Sequence, residues 1–403
     1  MRIIYVSQHF PPEIGAAQGR AFDMSSNLME LGHDLHILTS FPNNIKSNKF
    51  FEKKKTNKLN IYRSISIKDT KSSSIRRLAN YISFAISSFI SGLRVRKPDI
   101  VYATSPQLFQ GLTGYFLSKI HRTKFVFEVR DLWVDFAEIL GQFQNKRLLN
   151  LARKLERFLY KKADHIVVVT NGYKDKLISL GIPETKISVI YNGVNPSDIK
   201  SPTRKIDIKE QYNIPKDSFL VLYAGNIGAA QGLKTVVNAA RKVNQIDSSI
   251  FFLFIGEGVE KDALVKQAND FNLTNILFID SLPKKELESF YYETDVGIVS
   301  LKKQPLFEIT IPSKLFDYMA MGVPTLVGVD GETREIVEKN NAGLFFEPEN
   351  DEDFIRALLE AKNNQNALSH MKKSMQYHLS DNFNRKKLAK KLNKSLLNLK
   401  SMT

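Results

Sequence analysis

The sequence predicts an α/β protein made of two doubly wound parallel-sheet domains, and three observations predict it. Short runs rich in Val, Ile, Phe and Tyr recur along the chain, several of them apolar nearly throughout, as parallel strands covered on both faces must be. Helical patterns separate these runs in a strand–helix–strand rhythm. The rhythm passes through twice, within 403 residues that suffice for two domains and a sizeable core.

Taken in order, "RIIYVS", "DLHILTS", "DIVYATS", "KFVFEVRD" and "HIVVVT" read as strands of the first domain, with helices over 21–31 and 148–162 among the connections. The opening "MRIIYVSQHFPPE" has too short an apolar run for a signal peptide and is expected to be a buried first strand. "LANYISFAISSFISGL", Leu78 to Leu93, is 16 residues long and carries several serines, too short and too polar to cross a bilayer. Asn192-Gly193, Pro196 and Pro202 punctuate a polar stretch, where the first domain, 1–195, is expected to join the second, 196–379. In the second domain "FLVLYAG", "IFFLFIG", "NILFID", "VGIVSL" and "PTLVGV" read as strands, with a helix over 234–244. The tail, about 380–403, places Leu388, Leu392, Leu396 and Leu399 at helical spacing opposite a basic face, and is expected to pack back on the first domain.

Composition narrows the chemistry. An apolar content of 43% with 25% charged residues is that of a globular chain. With no cysteine there is no disulfide framework, thiolate metal site or cysteine nucleophile. The seven histidines are scattered without a pair at metal-ligand spacing, and His33 and His36, flanking a strand start, read as structural. No serine nucleophile elbow and no Walker sequence is present. The net charge of +16 is unevenly placed: up to residue 195 there are 30 Lys and Arg against 15 Asp and Glu, beyond it 28 against 27, and between Lys46 and Lys97 14 against 2. One half of the protein is therefore expected to face something anionic.

Four segments carry candidate chemistry. In "PPEIGAAQGR", Gly15 and Gly19 free the backbone where a strand turns into a helix, so that the amides of Gly15 and Ala16 can approach an anion; an ordinary strand–helix turn reads as well. "YAGNIGAAQGLK" repeats that arrangement in the second domain with Gly225, Asn226, Gly228 and Gly232, at a spacing that is not the dinucleotide fingerprint. In "PLFEITIPSKLFDYMAMGVPT", Pro312 and Ser313 suit the start of a helix, with Ser313 as its cap. Lys314 can then meet a diphosphate beside the free amides, and Asp317, three residues on, can accept hydroxyl hydrogen bonds from a ribose. Glu308 can do the same for another polyhydroxylated ring; the alternative is a capped helix with a surface ion pair. In "FEVRDLWVDFAE", Glu128, Arg130, Asp131 and the only tryptophan, Trp133, follow a buried strand, where acid–base work, acceptor binding and a structural ion pair are all open.

Together these segments resemble the retaining glycosyltransferases of family 4, over nearly the whole chain. "GHDLHILTSFPN", "VVVTNGYKDKLISLGIPETKISVIYNGV", "FIGEGVEKDAL" and "IPSKLFDYMAMGVPTLV" are similar to that family's segments and stand in its order. "QHFPPEIGAAQGR", "EVRDLW" and "GNIGAAQGLK" resemble the bacterial group that builds O-antigen and capsule repeats, including L-fucosamine transferases. The resemblance implies the GT-B fold, two Rossmann-like domains facing across a cleft, and a nucleotide-sugar donor held mainly by the second, with Gly256 among its contacts. The family's signature places two glutamates seven residues apart. Asp317 sits where the second falls, five before Gly322; the first falls on Ile309, so Glu308 misses by one. The family's diphosphate-binding Arg and Lys fall on Asn226 and Gln231, which leaves Lys314 to take over, and its frequent histidine falls on Arg130.

These readings set the functional expectation. Fixed amides, a helix end and Lys314 would stabilise charge growing on a departing diphosphate, with no metal and no cofactor besides the donor, expected to be a UDP-sugar. Asp131, Glu308 and Lys314 are the catalytic candidates, and Arg20, Arg130 and Trp133 the acceptor candidates. Retention is expected by front-face attack. Arg76 and Arg77, with Phe84 and Phe89 in the amphipathic run, suit an anionic membrane surface and an undecaprenyl-diphosphate-linked acceptor at its inner face. A sugar-nucleotide 2-epimerase of the same architecture is the nearest rival. Nucleic-acid binding ranks below the transferase, for the basic residues lack a recognition module and the two glycine-rich turns would go unused.

Overall fold

The structure is a computed structural model, and it describes residues 1–13, 15–42, 49–56, 59–68, 74–141, 145–195 and 207–401. Pro196 and Pro202 lie outside the described residues. The chain forms two compact units, Met1–Asn192 with Arg385–Thr403, and Gly193–Asn384. The crossings, at Asn192–Gly193 and Asn384–Arg385, fall within a few residues of the joins expected after 195 and 379.

The first unit runs β1 (Arg2–Val6), α1 (Ala16–Glu30), β2 (Asp34–Ser40), β3 (Phe51–Thr56), β4 (Leu59–Ser64), α2 (Ser74–Gly92), β5 (Ile100–Thr104) and α3 (Leu108–His121). It continues with β6 (Lys124–Val129), α4 (Trp133–Ile139), α5 (Lys146–Lys162), β7 (His165–Val168), α6 (Asn171–Ser179) and β8 (Ile187–Val189). Across the sheet the order is β3-β4-β2-β1-β5-β6-β7-β8, parallel but for β3, which runs antiparallel to β4. The central strands are buried almost throughout, which is why their sequences are unbroken apolar runs.

The second unit runs α7 (Ile208–Gln211), β9 (Phe219–Ala224), α8 (Lys234–Ile246), β10 (Ile250–Ile255), α9 (Lys261–Asp270), β11 (Ile276–Ile279), α10 (Lys284–Glu293) and β12 (Val296–Ser300). It continues with α11 (Pro305–Glu308), α12 (Lys314–Met321), β13 (Thr325–Gly328), α13 (Glu332–Lys339), β14 (Gly343–Phe345), α14 (Asp351–Asn363) and α15 (Gln365–Asn382). Its sheet is parallel, in the order β11-β10-β9-β12-β13-β14.

The last helix, α16 (Arg385–Ser401), returns to the first unit. Leu388, Leu392, Leu396 and Leu399 join Ile3, Tyr5, Met24 and Leu28 in its core, against α1. Arg20, on α1, is buried there as well. Its guanidinium donates to Glu128 Oε1 (2.8 and 3.2 Å) and to the carbonyls of Ile190 (3.0 Å) and Tyr191 (2.7 Å), just before the chain leaves the unit. Tyr102 also donates to Glu128 Oε1, at 2.8 Å. Burial alone would raise the Glu128 carboxyl, but the Arg20 and Arg130 charges, with hydrogen bonds from Thr104 and Tyr102, together outweigh it and hold it below its ordinary range. The pair's stabilisation is therefore present above that range and is lost as pH falls through it.

Removing one partner leaves the other charge buried and unpaired, so Arg20→Met and Glu128→Leu should each lower stability by about 3–5 kcal/mol in denaturant unfolding. The double variant should lose much less than the sum; additive losses would show that the two side chains act independently.

Candidate active site

In the second unit two glycine turns meet where parallel strands end, the place where α/β sheets take their ligands. β9 leads into Gly225 (φ +143°) and β10 into Gly256 (φ +148°), both in the region that favours glycine. A Cβ on Gly256 would stand 1.9 Å from the Gly225 carbonyl oxygen, and one on Gly258 would stand 2.1 Å from that of Ile227. The two turns thus lie backbone against backbone.

Their hydrogen bonds correct one expectation. Of the N–H groups expected to cradle a phosphate, that of Gly225 donates to Ile255 O (2.9 Å), that of Ile227 to Glu257 O (2.8 Å) and that of Gly228 to Gln231 Oε1 (3.1 Å). Among the described residues of this loop, the N–H groups of Asn226, Ala229, Ala230 and Gly232 keep no acceptor. The rest of the loop is tied to the end of β12, through Ser300 Oγ to Gln231 O (2.7 Å) and Lys302 N–H to Ala230 O (2.8 Å).

Beside the turn starts α12. Ser313 holds the N-cap position with helical backbone angles, and its side chain makes no capping bond, contrary to expectation. The helix is pinned to β9 by the Tyr318 hydroxyl, which donates to Leu222 O (2.8 Å) and accepts from the Ala224 N–H (3.1 Å). Room for that ring comes from Gly297, where a Cβ would come within 2.6 Å of it.

This pinning sets Lys314 under the turn. Its Nζ is buried, has no hydrogen-bond partner, and lies 3.5 Å from the centroid of the Tyr223 ring. A Cβ on Gly225 would be 3.6 Å from the same nitrogen. Burial pushes the Lys314 ammonium well below its ordinary range, against the opposing charge of Asp317. Asp317 itself is exposed on the first turn of α12. Gly225, Asn226, Gly228, Gly256, Ser313, Lys314 and Asp317 are thus brought together by the turns and the helix start. Sequence reasoning missed Tyr223, Tyr318, Gly258 and Gly297, although a glycine inside the run "VGIVSL" is a signal of close approach.

Glu308 lies in an adjoining depression at the ends of β12 and β13, lined by Lys302, Lys303, Phe307, Val329 and Asp330 among others. Gly331 (φ +71°) packs on it, where a Cβ would be 2.3 Å from Glu308 O. Among the described residues no group of three or more His, Asp or Glu gathers as a metal site would.

The other candidates belong to the first unit. Asp131 is half-buried after β6, where burial raises its carboxyl against the opposing Arg130 charge. The Arg130 N–H donates to Ser105 Oγ (2.7 Å) while its Nε is buried without a partner, and Trp133 opens α4. Gly15 precedes α1 in extended backbone (φ 162°) that any residue adopts, and Gly19 lies inside the helix, so neither frees a turn as expected. Arg20 is a correction too: buried and committed to Glu128 and backbone carbonyls, it has no face for an acceptor. Arg76 and Arg77 stand in the first turn of α2, Phe89 is partly buried, and Phe84 is fully buried rather than at the surface.

Two family models match the chain, one described as Glycosyltransferase Family 4 over residues 17–198 and one described as Glycosyl transferases group 1 over residues 204–378. The putative colanic acid biosynthesis glycosyl transferase WcaI of Escherichia coli (strain K12) is 24% identical over 382 residues, covering 90% of this chain and 92% of WcaI. The O-antigen biosynthesis glycosyltransferase WclY of Escherichia coli is 25% identical over 211 residues, 52% of this chain and 55% of WclY. Sucrose-phosphate synthase from Thermosynechococcus elongatus has the same fold over the full length of both chains, with a TM-score of 0.80 at 15% identity. Anabaena HepE, solved with UDP and glucose, has a TM-score of 0.72 at 15% identity, covering 99% of this chain and all of HepE. The fold is GT-B, and the matches over both units make the protein a glycosyltransferase. The chain belongs to the glycosyltransferases of family 4.

Because the two glycine turns touch through their backbones, Gly256→Ala should lower the unfolding temperature far more than Gly32→Ala. Gly32 also has positive φ (+91°) but nothing within 4 Å of its Cβ position, so it carries only backbone strain, about 1–3 kcal/mol. Equal losses in thermal unfolding would show that contact between the turns contributes nothing.

Proposed function

We propose that the protein is a retaining glycosyltransferase that moves a sugar, expected to be an N-acetylated amino sugar, from a UDP-sugar to a saccharide carried on undecaprenyl diphosphate. The process would be assembly of a bacterial surface polysaccharide, O-antigen or capsule, at the inner face of the plasma membrane. The names of WcaI, WclY and the amylovoran biosynthesis glycosyltransferase AmsK of Erwinia amylovora support the polysaccharide reading. HepE in complex with UDP-glucose supports a uracil nucleotide. The resemblance of "QHFPPEIGAAQGR", "EVRDLW" and "GNIGAAQGLK" supports the L-fucosamine transferase-like group.

The observation that carries the reading is the Lys314 ammonium, buried beneath the Gly225 turn without an acceptor for its hydrogens. A diphosphate oxygen placed there would supply that acceptor. As the C1–O bond loosens, negative charge gathers on the departing diphosphate, and a fixed cation in a dry site stabilises it more than the ground state. In this reading Lys314 does the work without a metal. Asp317 accepts from the ribose hydroxyls, Glu308 contacts the donor sugar, and Arg130, Asp131 and Trp133 serve the acceptor. The departing phosphate takes the acceptor's proton on the same face of the sugar, so the configuration is retained.

Lys314→Met should lower kcat by about 10²–10³ with a UDP-sugar, the loss expected for one preorganised donor, while stability holds or rises. A depressed ammonium that gains an anionic partner takes up a proton. UDP binding should therefore weaken as pH rises through the free protein's Lys314 titration, and calorimetry in buffers of different ionisation enthalpy should register proton uptake that Lys314→Met abolishes. Transfer by Lys314→Met at the parental rate would overturn the assignment.

A further inference from the structure

The first unit presents a helix whose polarity is inverted for water. The inward side of α2 carries Asn80, Ser88 and Ser91 beside Phe84, all buried. Leu78, Ile82, Ile86 and Ile90, one turn apart, are exposed, as is Leu93 just beyond the helix, at 37% to 59%. A helix on an aqueous surface turns its apolar stripe to the core and its polar stripe outward. Here the inward polar groups are satisfied: Gln8 Nε2 donates to Asn80 Oδ1 (2.6 Å), and the Ser64 and Ser91 hydroxyls bond at 2.6 Å.

The apolar face continues onto α3, where Phe116 and Ile120 are more than half exposed. The two helices are locked together by Thr113 Oγ1 donating to Ala85 O (3.0 Å) and by Gly92, where a Cβ would stand 2.4 Å from Leu117. An exposed apolar patch of this kind marks an interaction surface.

Charge selects the partner. α2 and α3 contain no carboxylate, and α5, packed against α3, has one, Glu156, which is buried. Arg76, Arg94, Arg96, Lys97, Lys119 and Arg122 are exposed on these helices and their flanks. A second copy of the chain would set those cations against one another, whereas anionic headgroups would neutralise them while acyl chains receive the isoleucines. No helix of the described residues is long and apolar enough to cross a membrane, so α2 can lie only in the interface.

We propose that this face docks on an anionic lipid bilayer, with α2 in the plane of the interface and Ile82, Ile86 and Ile90 inserted below the headgroups. This deepens the membrane reading above and rests on it, but it replaces Phe84 with the exposed stripe as the inserting group.

Sedimentation of the full chain with vesicles tests it. Vesicles of phosphatidylglycerol mixed with phosphatidylcholine should bind it, and phosphatidylcholine alone should bind it weakly. Ile82→Ser with Ile86→Ser should lower partitioning about tenfold for each isoleucine, while Ile246→Ser, at an exposed apolar position of the second unit, should leave it unchanged. Arg94→Glu with Arg96→Glu should remove the preference for anionic vesicles. Unchanged partitioning of the isoleucine pair variant would overturn the proposal, as would a dimer in analytical ultracentrifugation that the same variant disperses. Protection of the same preparations against heat by UDP-sugars reports on the transferase reading separately. Loss of that protection with vesicle binding intact would end the transferase reading and leave the docking surface standing.

Discussion

An ammonium group held in a dry place with nothing to accept its hydrogens is the constraint on which the second unit's arrangement turns. Burying a charge without a partner is costly, and a chain selected only for stability would put a methionine there. The surroundings reduce that cost only in part. The Tyr223 ring offers its negative face at 3.5 Å, and Gly225 lacks the side chain that would crowd the nitrogen. The bonds of Tyr318 to Leu222 and Ala224 fix α12 on β9, which holds the Lys314 backbone beside the Gly225 turn. Strain tolerated at one spot and over-determined by its neighbours is the usual mark of a functional site.

The first unit buries a cation too, and handles it differently. Arg20 is met by a carboxylate and by carbonyls of the segment that leaves the unit, so its charge is spent on the fold. Lys314 is left with a ring and with the charge of Asp317, to which it makes no hydrogen bond. In sequence the two are alike, each a basic residue at or near the start of a helix that follows a strand and a glycine- or proline-bearing turn. Satisfaction of hydrogen bonds, which only the folded contacts reveal, separates the structural cation Arg20 from Lys314, the one proposed to meet a ligand.

Much of the fold was legible because fully buried parallel strands cannot hide: "IVYAT" and "FLVLYA" allow no other placement. β3 was not, because three consecutive lysines read as a charged patch; it is an edge strand, where lysine is tolerated and discourages further pairing. β8 and β14 are three-residue edges, below the length at which periodicity speaks. Within the site, Lys314, Asp317 and the glycine turns followed from strand–helix logic. Tyr318 did not, since its partners stand some ninety positions earlier in the chain. The amide cradle was overestimated because a glycine-rich turn can spend its N–H groups on the neighbouring turn, as Gly225 and Ile227 do. In α2 the reading erred over one residue: Phe84, expected at a membrane surface, is buried beside the inward-bonded serines, because which side of an amphipathic run faces the sheet is set by partners such as Ser64 that lie elsewhere in the chain.

The two proposals put cations to two uses, at the surface and buried. A surface cation acts through high dielectric and mobile salt, so each contributes little and many are needed; Arg76, Arg94, Arg96, Lys97, Lys119 and Arg122 stand on α2, α3 and their flanks, beside the exposed apolar face. A buried cation acts through a medium of low dielectric, where a single group attracts an anion strongly and only from the one direction its pocket leaves open. The second unit, with 21 Lys and Arg against 27 Asp and Glu over 193–384, can therefore carry net negative charge and, in the proposed reading, still hold a diphosphate. A basic surface there would draw in any polyanion, whereas one ammonium beneath a glycine turn admits only an anion slim enough to reach it. In the proposed reading, selectivity for a nucleotide donor and adhesion to a charged interface call for opposite distributions of the same residue type, in keeping with 37 basic residues against 15 acidic in the first unit and 21 against 27 in the second.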